Sequence, residues 1–118
     1  VSTNYLLSPV EDKDKPAMVE HKRIMESFGG PPVSTLSVYA QSLSELVVET
    51  LSQACDKLNR EGLLEAAESV EGFAPTVMWP GIEINLGPAD HYAIQTLQPV
   101  KIEATGTLTE IGSPISVD

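Results

Sequence analysis

Apolar residues between positions 36 and 58 recur at spacings of three and four, which is the period of a long amphipathic helix. Serine, glutamine and acidic residues occupy most of the positions between them. The pattern predicts one helix with an apolar stripe wide enough to need a packing partner, and it places Cys55 on that stripe as a small buried hydrophobe. The stripe consists of Leu36, Tyr39, Ala40, Leu43, Leu46, Val47, Leu51, Ala54, Cys55 and Leu58.

A shorter helix is predicted before the long one. Asp14 is the expected cap, and Pro16 falls in the first turn, where its missing N–H costs nothing. His21 lies on the apolar face, where a buried and hydrogen-bonded histidine is expected rather than a ligand. Residues 29–32 (Gly-Gly-Pro-Pro) end the helix. The apolar face consists of Met18, His21, Ile24, Met25 and Phe28.

A third helix is expected over residues 61–70, capped by Asn59 and ended by Gly72. Strands are expected on both sides of the helical region, with alternating apolar residues in the clearest case (Ile82, Ile84 and Leu86). Pro99 should confine its strand to a sheet edge or a bulge. The strand segments are residues 1–7, 82–86, 93–103 and 107–111.

Composition and charge exclude one class of partner and one kind of cross-link. Seven basic against seventeen acidic residues give a net charge of −10, which phosphate backbones repel, so nucleic acid is excluded as a partner. A single cysteine allows no internal disulfide. The chain opens directly in a strand-like run, VSTNYLL, with neither a signal-peptide pattern nor an initiator methionine, so we expect a missing N-terminus.

The residues capable of chemistry form no convincing catalytic group. Asp90, His91 and Tyr92 could supply a general base and a phenol, which leaves a hydrolase or isomerase as the least favoured alternative. Neighbouring residues in extended chain point to opposite sides, however, so a structural turn is the favoured role of Asp90 and His91. No zinc-ligand spacing is present, and no metal or cofactor is expected. Trp79 is expected to fill the core.

Three stretches, in this order, resemble the late part of the type I solute-binding proteins of ABC importers, the branched-chain amino acid (Leu-Ile-Val-binding) family. Residues 38–58 (VYAQSLSELVVETLSQACDKL) are similar to that family's long helix, and residues 59–73 (NREGLLEAAESVEGF) to the segment that follows it. Residues 80–91 (PGIEINLGPADH) are similar to a tail motif in which an apolar strand leads to an Asp-His pair. The resemblance covers nearly the whole chain.

This resemblance implies a fold, which is the C-terminal piece of a two-lobed α/β protein. The expected order is a strand, three helices and a β-rich tail. Residues 1–33 would end the second lobe, residues 34–73 would return to the first lobe, and residues 74–118 would form the tail. A ligand closes the two lobes by hinge bending in such proteins.

The resemblance also implies a function, an extracytoplasmic or periplasmic receptor that delivers amino acids or similar small carboxylates to an ABC permease, without catalysis. Only Ser34, Thr35 and Leu36 would lie near the ligand cleft, and Ser34 stands where amino-acid binders can present an aromatic ring. The chain alone is therefore expected not to hold a ligand tightly, and to associate with the rest of its own polypeptide or with itself. A stand-alone dimerisation or scaffold domain is the alternative.

Overall fold

The computed structural model describes residues 1–117, which form a strand, three helices and then a strand-rich tail. The helices are α1 (Pro16–Ser27), α2 (Thr35–Gln53) and α3 (Arg60–Ala67). The strands are β1 (Ser2–Asn4), β2 (Thr96–Ile102), β3 (Leu108–Glu110) and β4 (Ile115–Ser116). The expectation of a mixed α and β chain with this order of elements is confirmed.

Helix α1 ends as the sequence predicted but begins with a different cap. Pro16 takes the first helical position, so Lys15 rather than Asp14 is the N-cap residue, and its side chain makes no capping bond. The Lys15 ammonium instead lies 2.9 Å from Asp12 and 4.9 Å from the centre of the Trp79 ring. At the other end, Gly29 adopts a φ of 64°, a left-handed conformation that favours glycine.

Helix α2 stops at Gln53, five residues before the end that the apolar repeat predicted. Asn59 caps α3 by accepting a hydrogen bond from the Gly62 N–H at 2.9 Å, and its backbone is extended in order to do so. A helix continuing to Leu58 would leave no room for this cap. Cys55 therefore lies in the connecting turn and is exposed, so the prediction that it is buried was wrong.

The four strands of the described residues form one antiparallel arrangement centred on β2. Strand β1 pairs along one stretch of β2, with Thr3 opposite Pro99. Strands β3 and β4 pair with different stretches of β2, at residues 100–102 and 96–97 respectively. The first and last parts of the chain thus meet in one sheet.

Pro99 lies in this central strand, so of the two expected settings, a sheet edge or a bulge, the edge is wrong. The strand tolerates proline because its neighbour changes from β3 to β4 at this point. The Pro99 carbonyl accepts hydrogen bonds from the Ile111 N–H at 3.0 Å and from Gln98 Nε2 at 2.9 Å. Gln98 is only 1 % exposed and also donates to the Gly112 carbonyl at 3.3 Å, which bridges the interruption in the ladder.

The apolar core lies beneath the segments that surround the helices and contains few residues from α2. Ile82 and Ile84 are buried while Glu83 is exposed, as the alternation predicted, although this segment forms only an isolated bridge to Phe73 instead of a strand. Trp79 packs against the core as expected. The core cluster consists of Leu6, Leu7, Met18, Val38, Val70, Val77, Met78, Ile82 and Ile84.

The loop before α1 is fastened to the sheet by a carboxylate. Glu11 accepts hydrogen bonds from the Ser8 hydroxyl and from the Leu108 N–H of β3. These two bonds favour the charged form, the first more than the second, and lower the pKa of Glu11 below its usual value. The carboxylate thereby joins residues that are far apart in the sequence.

Candidate docking surface on the second helix

Helix α2 begins with a reciprocal cap. The Ser34 hydroxyl accepts a hydrogen bond from the Ser37 N–H at 3.2 Å, and the Ser37 hydroxyl accepts one from the Ser34 N–H at 2.9 Å. Two N–H groups that would otherwise lack partners at the helix start are satisfied in this way. The cap fixes the direction in which the 19 residues of α2 leave the segment that follows α1.

The face of α2 that meets the rest of the protein is largely polar. His21 of α1 is 1 % exposed, and its two ring nitrogens bond to Gln41 Oε1 and, at 2.9 Å, to the Ser37 hydroxyl. The expectation of a buried, hydrogen-bonded His21 is confirmed. Gln41 Nε2 in turn donates to Glu45, which also accepts from the Thr76 N–H at 2.6 Å. Polar side chains therefore join α1, α2 and the loop at Thr76.

The opposite face of α2 is apolar and faces solvent. We call this surface the outer face; its residues recur at spacings of three and four and so lie on one side of the helix. Their exposure ranges from 78 % at Leu36 to 40 % at Tyr39. The outer face consists of Leu36, Tyr39, Leu43, Val47 and Leu51.

Helix α2 is therefore inverted relative to an ordinary helix on the surface of a globular protein, which buries its apolar stripe and exposes its polar one. Val38 and Ser42 are buried on the inner side, whereas most of the predicted stripe is exposed. A contiguous exposed apolar surface of this length marks an interaction site. The outer face of α2 is therefore the candidate docking surface of the described residues.

A groove of about 740 Å³ adjoins the outer face at the N-terminal half of α2. It lies between α1 and α2, and Leu36 and Ala40 belong both to its lining and to the side of α2 that carries the outer face. A large side chain or a hydrophobic edge of another surface could enter it. The other apolar lining residues are Ile24, Met25 and Pro31.

The three residues expected near a ligand cleft lie together at this end of α2. Ser34 is the N-cap residue, Thr35 is the first helical residue, and Leu36 begins the outer face. Ser34 and Leu36 also line the groove. The Ser34 hydroxyl, however, already accepts a hydrogen bond in the cap, so it has less hydrogen-bonding capacity left for a ligand.

Asp90 and His91 lie far along the chain from this surface and have separate partners. Asp90 Oδ1 accepts a hydrogen bond from the Tyr92 N–H at 2.8 Å, an Asx-type turn. His91 Nε2 lies 3.0 Å from Glu68 Oε1, at an exposed position. The carboxylate of Asp90 therefore orients its own turn.

Two further properties of residues 1–117 bear on the kind of site present. No group of three or more histidine, cysteine, aspartate or glutamate side chains is arranged to hold a metal ion within this range. None of its helices has the length and apolar character needed to cross a bilayer.

The sequence identified the apolar stripe but not the side on which it lies. Periodicity tells which residues share a face, and it contains no information about which face meets the protein's own core. One feature of the sequence bore on the orientation: α2 has only two charged residues, Glu45 and Glu49, and both fall outside the stripe, so the polar side of the helix carries little charge.

Comparisons of the chain with protein-family models, curated proteins and solved structures found no match.

Proposed function

We propose that this chain is the C-terminal part of an extracytoplasmic solute receptor that captures branched-chain amino acids, or similar small carboxylates, for an ABC importer. The ordered resemblance of residues 38–58, 59–73 and 80–91 to such receptors supports the proposal. Its partners would be the ligand, the permease and the remaining part of the receptor.

The inversion of α2 is the observation that carries this proposal. A helix that bonds to its own chain through Gln41 and Glu45 and exposes Leu43 and Val47 is suited to a position between two bodies. In the proposed receptor, the body on the outer side is the lobe formed by the rest of the polypeptide. Packing of the outer face against that lobe would remove apolar surface from water and so stabilise the complete receptor.

The shape of the molecule supports the same proposal. Its radius of gyration is 15.8 Å, whereas a compact domain of this length has about 13.5 Å. The overall dimensions are 50 × 39 × 18 Å, so the molecule is a slab rather than a sphere. A flattened molecule that exposes the apolar face of a helix is the form expected of a layer within a larger protein.

Ligand binding by the proposed receptor depends mainly on residues outside this chain. Near the N-terminal end of α2, Ser34 is occupied by its cap and Leu36 offers only apolar contact. Neither residue neutralises the carboxylate or the ammonium group of an amino acid. We expect this chain to contribute part of the cleft edge and no tight binding of its own.

The test is a titration calorimetry experiment with the polypeptide encoded by the complete reading frame around this chain. Leucine, isoleucine, valine and a small aromatic carboxylate are the ligands, and the 118-residue chain is the control. We expect a dissociation constant of about 1 µM or lower for at least one ligand, and no heat from the control. A reading frame that begins at Val1, or a full-length protein that binds none of the four, contradicts the proposal.

A further inference from the structure

We propose that the 118-residue chain, by itself, forms a two-fold symmetric dimer in which the outer faces of two α2 helices pack against each other in antiparallel orientation. This association goes beyond the receptor role and does not depend on a ligand. In a complete receptor the same surface would contact the receptor body, so the dimer is a property of the chain when that surface is free.

The exposed area is sufficient for a dimer of ordinary size. A Leu or Val side chain buries on the order of 100 Å² and an aromatic one about 200 Å². We multiply each of these areas by the exposed fraction of the five outer-face residues and add the apolar walls of the adjoining groove. Each copy then offers roughly 400 Å² of apolar surface. Since interfaces are about 60 % apolar, this corresponds to about 700 Å² per partner, near the 800 Å² of a standard interface.

The charge distribution favours contact between two copies through the outer face. Each chain has a net charge of −10, so two copies repel each other overall. The outer face contains no charged residue, and the two carboxylates of α2 are engaged away from it: Glu45 with Thr76 and Glu49 with Gln53. Packing of two outer faces therefore buries no unpaired charge.

An antiparallel arrangement makes the surface complementary to itself. The groove lies beside Leu36 at the start of α2, whereas Leu51 projects near the end, where it is 44 % exposed. Antiparallel helices bring Leu51 of each copy towards the groove of the other, as a two-fold interface requires. The dipoles of the two α2 helices also point in opposite directions, so the positive end of each helix lies beside the negative end of the other. Leu43 then lies near the symmetry axis.

The first test compares two adjacent valines by sedimentation equilibrium. Val47 and Val48 are 56 % and 63 % exposed, and they lie roughly 100° apart around the helix, so only Val47 is on the outer face. We expect the wild-type chain to dimerise at micromolar concentration, Val47→Asp to raise the dissociation constant at least tenfold, and Val48→Asp to change it less than threefold. A monomeric wild-type chain at 100 µM, or equal effects of both variants, overturns the proposal.

The second test does not depend on how either charged variant folds. The exposed Cys55 is first replaced by serine, and Leu43→Cys or Val48→Cys is then introduced. A disulfide needs Cα atoms within about 7 Å, which only residues near the two-fold axis satisfy. With oxidised glutathione, Leu43→Cys should form a covalent dimer in high yield and Val48→Cys should not. Equal yields for the two, or no covalent dimer with Leu43→Cys, overturns the antiparallel arrangement.

Discussion

His21 shows how a single polar residue can fix the position of two helices. It lies on α1, is almost completely buried, and bonds to Ser37 and Gln41 of α2 with both ring nitrogens. Gln41 uses its Nε2 to donate to Glu45, so its Oε1 accepts the Nδ1–H of His21. Moving α1 relative to α2 would break both bonds and leave the buried ring nitrogens without partners.

We expect His21→Ala to lower the free energy of unfolding by about 2–3 kcal/mol, since it leaves a cavity and removes a hydrogen-bond partner of the partly buried Gln41 amide. Urea unfolding followed by circular dichroism measures the change. Lys22→Ala on the exposed side of the same helix serves as the control and should shift the value by less than about 0.5 kcal/mol. Equal effects would show that His21 has no special structural role.

Glu11 makes stability depend on pH. Its pKa is lowered in the folded protein by the Ser8 hydroxyl and the Leu108 N–H, so its contribution is present above the unfolded pKa and is lost as the pH falls through the folded pKa. We expect Glu11→Gln to be less stable than wild type at pH 7, with the difference disappearing in the acid range below the normal glutamate pKa. A difference that stays constant down to pH 3 contradicts this assignment.

At the scale of the elements, the sequence predicted most helices and strands but not how α2 is oriented. Proline at the start of α1, glycine at its end and asparagine before α3 act through local backbone geometry, which a short stretch of sequence fully contains. The orientation of α2 depends on the distant Thr76 and on His21, which no local pattern includes. The accommodation of Pro99 likewise depends on which strands flank it.

Ser34 can be used to test whether its cap stabilises the start of α2. We expect Ser34→Ala to destabilise the chain by about 1 kcal/mol, because the Ser37 N–H loses its acceptor, whereas Ser34→Asp should retain most of the stability. Thermal unfolding monitored at 222 nm gives the comparison. Thr35→Ala, one residue later, is the matched control, and a loss as large as that of Ser34→Ala would contradict the capping role.

At the scale of the whole molecule, the uncovered outer face and the large negative charge act in opposite directions. The face favours association, and a charge of −10 on each copy opposes it. The radius of gyration of 15.8 Å exceeds the value of about 13.5 Å for a compact domain of this length. The candidate cleft residues 34–36 share this exposed end of α2, which their position in the sequence alone could not reveal.

We therefore expect salt to strengthen the dimer. Raising sodium chloride from about 0.1 M to about 1 M shortens the screening length from roughly 10 Å to 3 Å and weakens the repulsion between copies. The dissociation constant from sedimentation equilibrium should fall severalfold, and circular dichroism at both salt concentrations controls for changes in the fold. Weaker association at high salt would indicate that ion pairs, rather than apolar contacts, hold the copies together.

The pairing of β1 with β2 determines the order in which the chain can fold. Thr3 meets Pro99 across a loop of about 95 residues, whose closure costs about 4 kcal/mol in chain entropy. The helices need only local contacts and can form before that loop closes. The sheet is then a late event, and mutations in β1 should accelerate unfolding while leaving the folding rate nearly unchanged. A nascent or partly folded chain would consequently carry its helices, with the outer face already formed, before its two ends are joined.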